Sequence, residues 1–369
     1  MDFKLPENTT MIADTAKRYL KDNYSFDTYR KQLAEGRHIN DSRWHTMKEL
    51  GWFGLPFPES LGGYQGSLLD VAMIVRELGA SLCLDPYVDL IVAPGKLLEF
   101  IQTPASLALL ANIIEGNGRI ACALYDQHAG YQAEVPSPIL SRNRLSGQKH
   151  LVPDGGCADH YLVTVRDANA LAIVLLPASF CHIELYRALD GSRVASLTFD
   201  DVEIDDDMIL SRGTAATDAL SRLIDYLRAL DCARMYGAVQ ALYQNTLEYA
   251  KTRKQFGVAI GSFQVIQHYL VDMFIDLQQL ESMLLMVLVK ADQQEESERA
   301  RATSAAKIYY AEWAVRIAQM GIQIHGGVGV TEELNIGHYF RQITHGALSH
   351  GNGDFHVDRF ISLATEHAA

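Results

Sequence analysis

Four stretches hold residue types that could do chemistry together. Arg253-Lys254-Gln255-Phe256-Gly257, followed by Ile260-Gly261-Ser262-Phe263-Gln264, sets cations, amides and aromatic rings beside glycines. A guanidinium binds phosphate oxygens bidentately. Taken by itself, the pair Arg253-Lys254 reads first as a solvated helix end. Gln323-Ile324-His325-Gly326-Gly327-Val328-Gly329 offers a backbone that a ligand can approach closely, or a plain helix C-cap. Asp225 and Arg228 stand one turn apart and share a helix face, as a ligand-binding pair or as a surface ion pair. The carboxy-terminal third carries His338, His345, His350 and His356 with Asp354 and Asp358. The four-residue spacing of Asp354 and Asp358 suits two metal ligands on a helix. There is no His-Glu-x-x-His pattern and no cysteine pair, so no metal is expected. Proton transfer is the other chemistry open to this cluster, because histidine changes charge near neutrality.

The elements that must position these residues follow from periodicity. Residues 7–36 read as helical, with Met11, Ile12, Ala16, Tyr19 and Leu20 near helical spacing. A helix over Ser42–Leu50 takes Asp41 or Ser42 as cap and stops at Gly51. The run GWFGLPFPESLGGYQGS is turn-rich. Helical patterns cover Leu68–Gly79, Val88–Gln102 and Pro104–Glu115. From Arg119 to about Ser211 the apolar runs are short: IACALY, HYLVTV, LAIVLL and VASLTF, with turn signals between them. That pattern predicts an antiparallel sandwich or barrel. The helical period then returns, over 216–252, 262–293, 297–324 and a shorter stretch near 354–366, with RKQFGVAIGS as a loop. Helices this long exceed the usual 10–14 residues and predict a bundle.

Composition narrows the class. The chain has 369 residues, a net charge of -13 and five scattered cysteines. The acidic balance argues against a nucleic-acid partner, which wants a basic face. A phosphorylated cofactor stays open, since it needs a local cluster of donors alone. No stretch approaches the roughly 20 apolar residues of a membrane span. The start, MDFKLPENTT, lacks the pattern of a signal peptide, and the cysteines read as reduced thiols of a cytoplasmic protein.

Helices, then a β block, then a long-helix bundle is the order of the acyl-CoA dehydrogenase family, and the motifs resemble that family in sequence order. Gly51-Trp52-Phe53-Gly54-Leu55 with Pro58 and Leu61-Gly62-Gly63 resembles its amino-terminal segment. Gly147-Gln148-Lys149, then Asp159 and Tyr161, resembles its β-domain strand pair. Arg253–Gly257 with Ile260–Gln264 and Gln267, and Gln323–Gly329, are the most specific blocks. The resemblance covers essentially the whole chain. It implies an α+β fold with an N-terminal helical domain (1–117), a middle β-barrel (118–213) and a C-terminal four-helix bundle (214–369). It implies FAD held between subunits, with Arg253 on the pyrophosphate of the neighbour's flavin. Phe256, Phe263, Gln264, Gln323, Gly326, Gly327 and Asn352 would contact the cofactor. Asp225 and Arg228 would bind substrate. The implied reaction is α,β-dehydrogenation of an acyl-CoA, with an electron-transferring flavoprotein as acceptor and a dimer or tetramer as the working form.

The resemblance breaks where the family places its base. A glutamate usually stands at one of two positions, here Leu227 and His350. Three explanations follow: a base from His350, Asp354 or Asp231; a heteromer whose partner carries the glutamate; or a different reaction. Gly337-His338-Tyr339-Phe340-Arg341 and the blocks around Arg253 resemble the small-subunit type of pimeloyl-CoA dehydrogenase, related to two-subunit enzymes for steroid side-chain CoA esters. The usual Thr-Glu-Pro-x-Ala-Gly-Ser segment is here Leu124-Tyr125-Asp126-Gln127-His128-Ala129-Gly130-Tyr131, and Trp-Ile-Thr is Leu151-Val152-Pro153. A non-catalytic structural subunit of a heteromer is the alternative reading.

Overall fold

A computed structural model describes residues 5–36, 39–127, 130–291 and 295–366. Internal packing divides the chain into two units. One comprises Met1–Lys31, Leu68–Cys83 and Asp225–Ala369, and the other comprises Gln32–Ser67 and Leu84–Ile224.

The amino-terminal region holds α1 (Glu7–Asn23), α2 (Phe26–Glu35), α3 (Asp41–Glu49), α4 (Leu68–Ala80), α5 (Ala93–Ile101) and α6 (Pro104–Ile114). The helical stretch expected over 7–36 breaks at Tyr24–Ser25. There the Ser25 hydroxyl accepts the Thr28 N–H at 3.1 Å and starts a second helix. The cap of α3 is Asn40, whose Oδ1 accepts from the Arg43 N–H, and not Asp41 or Ser42. Thr103 and Ser106 form a reciprocal capping box at the start of α6, where Pro104 occupies the first turn. The helix expected over Val88–Gln102 opens with π-helical winding at Val88–Val92.

Strands β1 (Ile120–Ala123), β2 (Ile139–Ser141), β3 (Arg144–Pro153), β4 (His160–Asp167), β5 (Ala170–Pro177), β6 (His182–Arg187), β7 (Arg193–Glu203) and β8 (Ile209–Arg212) follow. Among the described residues they make one eight-stranded sheet in the order β6-β7-β3-β2-β4-β5-β8, with β1 also on β4. The middle domain expected as a barrel is this sheet. Pairing is antiparallel except for β1 and β2, which both run parallel to β4. Val163, Val165, Ala172, Val174, Leu176, Ala195, Leu197 and Phe199 form the core over one face, with Leu90 packed in. Alternation is visible in β3, whose Leu145, Lys149 and Val152 are buried between more exposed neighbours.

The helices after the sheet are α7 (Thr214–Thr252), α8 (Gln264–Ala291), α9 (Glu296–His325), α10 (Asn335–Leu348) and α11 (Gly353–Glu366). A two-residue hairpin, β9 (Lys254–Gln255) and β10 (Val258–Ala259), lies inside the loop expected at RKQFGVAIGS. Helix α10 was not among the expected elements. Its Gly337 and Gly346 dilute the helical signal, yet Ile336, Tyr339, Ile343 and Ala347 supply a buried stripe. Residues 292–294, at the end of the helix expected over 262–293, lie outside the described residues.

Helices α4 and α7 meet through bare backbone. A Cβ added at Gly237 would stand 1.9 Å from the Arg76 carbonyl oxygen, and one at Gly79 would stand 2.1 Å from that of Arg234. Backbone cannot yield as a side-chain tip can, so both positions require glycine. Gly237→Ala should therefore cost at least the ~1–3 kcal/mol typical of overpacking, read as a fall in the chemical-denaturation midpoint. An unchanged midpoint would mean the two helices slide apart freely.

Candidate active site

The segment between α10 and α11 turns through left-handed backbone. His350 has φ of 52° and Gly351 of 119°. A Cβ on Gly351 would meet the Phe355 ring at 2.5 Å and His356 Nε2 at 2.6 Å, so glycine is required there. Asn352 then caps α11, its Oδ1 accepting the Phe355 N–H at 2.9 Å. Buried cations fix the approach to this turn. Lys307 Nζ donates to the carbonyls of Gly346 at 2.6 Å and Ser349 at 2.7 Å, closing the last turn of α10. Arg228 Nε donates to the His350 carbonyl at 3.0 Å.

The His350 ring is held as well. Its Nδ1 lies 2.8 Å from Asp231 Oδ2, and Lys307 Nζ lies 3.5 Å from the same oxygen. Burial alone would raise the Asp231 carboxyl. His350 and Lys307 outweigh that and bring it down to about 2. His356 behind the turn is fully buried. Burial first, then Arg228, Lys307 and Arg359, push its imidazole down to about 2, so it is neutral at physiological pH.

Asp225 is the centre of a second buried cluster. Its carboxylate accepts from Arg228 Nη1 (2.9 Å), Arg359 Nη2 (2.9 Å), Thr303 Oγ1 (2.9 Å) and Arg299 Nε (3.3 Å). Asp225 is 0% exposed and Arg228 3%, which rules out the surface ion pair. Burial would raise this carboxyl too, but Arg359, Arg228 and Arg299 hold it below its ordinary value. Asp225 therefore reaches the turn through Arg228, which grips the carboxylate with one nitrogen and the His350 carbonyl with another.

The Arg253 block is laid out quite differently. Arg253, Lys254, Gln255, Phe256 and Gly257 are all exposed, and Phe256 is 93% exposed at a φ of 52°. Its ring lies 6.3 Å from that of Phe263, edge to face. Gln264 and Gln323 are exposed. Gly326 and Gly327 face open space, with Gly326 at φ 61°. Tyr249 stacks on His325 with ring centroids 4.2 Å apart, and His325 Nδ1–H donates to the Gly321 carbonyl at 2.8 Å. This stack ties the end of α7, one turn before Arg253, to the end of α9, two residues past Gln323. Val258, Val265, Val328 and Val330 on the same segments are exposed apolar residues.

In the sheet, Lys149 Nζ lies 3.5 Å from Asp126 Oδ2 and donates to the Leu124 carbonyl (2.9 Å) and Thr164 Oγ1 (2.8 Å). Burial brings the Lys149 ammonium down to about 8, against the upward pull of Asp126. Leu151 sits at a bulge between Lys149 and Val152, 55% exposed with φ of 54°. Its N–H donates to the Tyr186 hydroxyl at 3.0 Å. His128 and Ala129 lie outside the described residues.

Comparison with known proteins decides the family. The acyl-CoA dehydrogenase N-terminal domain model matches residues 6–92, and the C-terminal domain model matches residues 217–361, together more than half of the chain. The chain belongs to the acyl-CoA dehydrogenase family. A probable acyl-CoA dehydrogenase of Bacillus subtilis strain 168, YngJ, is 25% identical over 98% of both chains. Among solved structures, the ChsE4-ChsE5 complex from Mycobacterium tuberculosis shares the fold at a TM-score of 0.89 and 22% identity, over 99% of both chains. The FAD complex of PigA does so at 0.88 and 20%, over all of both chains.

Acyl-CoA dehydrogenases are FAD enzymes, and the residues here meet that cofactor unevenly. The exposed cation of Arg253, the bare backbone of Gly326-Gly327 and the uncovered Phe256 ring fit a nucleotide diphosphate. The sheet fits the flavin ring less well. Asp126 is committed to Lys149, the Leu151 amide is taken by Tyr186, and Pro153 has no N–H. Asp354 stands exposed in the first turn of α11. Among the described residues no group of three or more His, Cys, Asp or Glu is arranged to hold a metal ion, and no helix is long and apolar enough to cross a membrane. Sequence reasoning missed Arg299, Thr303, Lys307 and Arg359. The first three are four residues apart on α9, a polar stripe in a helix whose neighbouring Ala300, Ala302 and Ala306 are buried, and that spacing was the available signal.

Proposed function

We propose that this chain works in FAD-dependent α,β-dehydrogenation of an acyl-CoA thioester, as one subunit of an oligomer. Phe256 carries the reading. A large apolar ring that is 93% exposed, between Arg253 and Phe263 and at strained backbone, asks to be covered by a second chain and its cofactor. Arg253, Gln323 and the Gly326-Gly327 backbone would hold the diphosphate end, with Gln264 and Asn352 as further contacts. Bound FAD supplies the hydride acceptor. Asp225 and Arg228 orient the turn at His350 that faces the acyl-CoA. An electron-transferring flavoprotein is the acceptor this reading implies.

A heteromer is favoured over a homomer by a specific observation. The Leu151–Pro153 segment offers the flavin ring few hydrogen-bond donors, and neither Leu227 nor His350 is a carboxylate. The Arg253 face would then complete the flavin site of a partner of the same fold, as in small subunits of the pimeloyl-CoA dehydrogenase type. The absorbance spectrum of the purified chain tests this. Colourless protein alone, and yellow protein with the flavin bands when co-expressed with its partner subunit, is the expected result. Flavin bands in the chain alone would make it a homo-oligomer with its own site. Colourless protein in both preparations would overturn the FAD reading.

A further inference from the structure

The groups that would meet the diphosphate come from two helix ends, and those ends touch. Helix α9 lies close on α7 at Gly321, where an added Cβ would stand 2.6 Å from Leu242 Cδ2 and 3.4 Å from Thr246 Oγ1. One turn further along each helix, on the same faces, the Tyr249 and His325 rings stack with centroids 4.2 Å apart and planes at 24°. The His325 ring is pinned in turn, because the Gly321 carbonyl accepts from its Nδ1–H at 2.8 Å. His325 is buried and Tyr249 half-buried. Each residue is also the root of one half of the face. The Tyr249 carbonyl accepts the Arg253 N–H at 2.8 Å, and the Arg253 carbonyl accepts the Ile260 N–H at 2.8 Å, which closes α7 onto the hairpin. On the other side, a Cβ on Gly329 would stand 3.0 Å from His325 Cβ, so the turn over Gly326–Val330 folds back against His325.

We infer that the Tyr249–His325 stack is the positioning joint of this face: it holds Arg253 and the Gly326-Gly327 backbone in one arrangement, so that both can engage a single diphosphate. This rests on the FAD reading and names what gives the face its shape. Tyr249 and His325 act through their neighbours and are positioning residues. Gly321 sets how near the two helices lie, and the stack sets how their ends are turned. Two flat rings suit that task, because an aromatic pair has a preferred geometry that an aliphatic contact lacks. Arg253 is exposed and stands just past the end of α7, and Gly326-Gly327 is exposed just past the end of α9. Without a joint, ordering one against the other would lower affinity at the moment of binding. With it, the face is arranged before the cofactor arrives.

The test is a binding measurement and needs no turnover. The oligomer, stripped of flavin, would be titrated with FAD by equilibrium dialysis, with assembly followed by sedimentation and stability by chemical denaturation. Tyr249→Leu removes the stack and should raise the Kd for FAD about 10-fold in an intact oligomer. Tyr249→Phe keeps the ring and should keep wild-type affinity. The deciding comparison is the double-mutant cycle with Arg253→Ala. Because the joint works through Arg253, Tyr249→Leu should change the Kd far less once that guanidinium is gone. A merely structural role would lower the denaturation midpoint at unchanged Kd, or weaken binding by the same factor in both backgrounds, and either result would overturn the joint. Should Tyr249→Leu fail to assemble, His325→Gln, which keeps a side-chain donor but has no ring, is read against the same outcomes. If Arg253→Ala alone leaves the Kd unchanged, or the wild-type oligomer binds no FAD, the joint and the FAD reading of this face fall together. If Arg253→Ala weakens binding and the stack variants do not, the joint alone falls.

Discussion

Asp225→Ala should lower the unfolding free energy by about 3–5 kcal/mol, the cost of removing one partner from a buried ion cluster. The size follows from what the carboxylate serves. Arg228, Arg299 and Arg359 all donate to it, as does the Thr303 hydroxyl. The side chains of Arg228 and Arg299 are each 4% exposed, so water replaces the lost acceptor poorly. In a unit of this size the loss corresponds to a fall in Tm of about 6–20 °C. Asp225→Asn keeps the shape and an acceptor but not the charge, and should fall between the two. The pH dependence has a definite sign. The folded carboxyl lies below its ordinary value, so its contribution is fully present above the unfolded pKa and fades as pH falls through the folded one. Wild type should lose stability on acidification more steeply than Asp225→Ala. A destabilisation under about 1 kcal/mol, the worth of an exposed pair, would show that the arginines re-solvate on their own.

That cluster also shows how far the sequence could be read. The one-turn spacing of Asp225 and Arg228 put both on one face of α7. Whether that face met water or protein depended on Arg299 and Thr303, 74 and 78 residues further on, and on Arg359, 134 residues away. Local periodicity holds no information about such pairings. It did hold the long helices, because 28 to 39 residues of repeating apolar positions leave little doubt about the period. The exposed β6 and the short β2 and β8 escaped for the opposite reason. β6 has no buried residue in its pattern, and β2 is three residues long. Each is defined by its partners, β6 by pairing with β7 and β2 by lying between β3 and β4.

At the site, glycines carried the most reliable signal. Gly326, Gly327 and Gly351 mark places where backbone is bare or left-handed, and the sequence singled out the loops around all of them. The missing glutamate was equally legible, as an absence at Leu227 and His350. The contact that holds the His350 ring was not. His350 and Asp231 are 119 residues apart, and their 2.8 Å contact exists because Lys307 pins the end of α10 above α7. The sequence named His350, Asp354 and Asp231 as candidates. Geometry separates a held ring from an exposed carboxylate.

Arg253→Ala should reduce FAD affinity by about 100-fold. A charge-assisted hydrogen bond is worth about 1.5–3 kcal/mol, and a guanidinium can offer two in parallel to a diphosphate. Losing about 3 kcal/mol raises Kd by about two orders of magnitude. The experiment is unusually clean, because Arg253 is exposed, so its removal should leave the unit's stability within about 0.5 kcal/mol of wild type. Flavin loss would therefore report on binding and not on folding. Arg253→Lys should recover part of the affinity, since an ammonium supplies charge but not the fork. Arg18, exposed on α1, is the control, and its alanine variant should keep its flavin. Flavin content would be measured on the oligomer after dialysis against low FAD, where affinity and not saturation sets the occupancy. Equal flavin in Arg253→Ala and Arg18→Ala would remove the diphosphate from this face. The exposed Phe256 would then belong to a chain–chain contact that holds no cofactor.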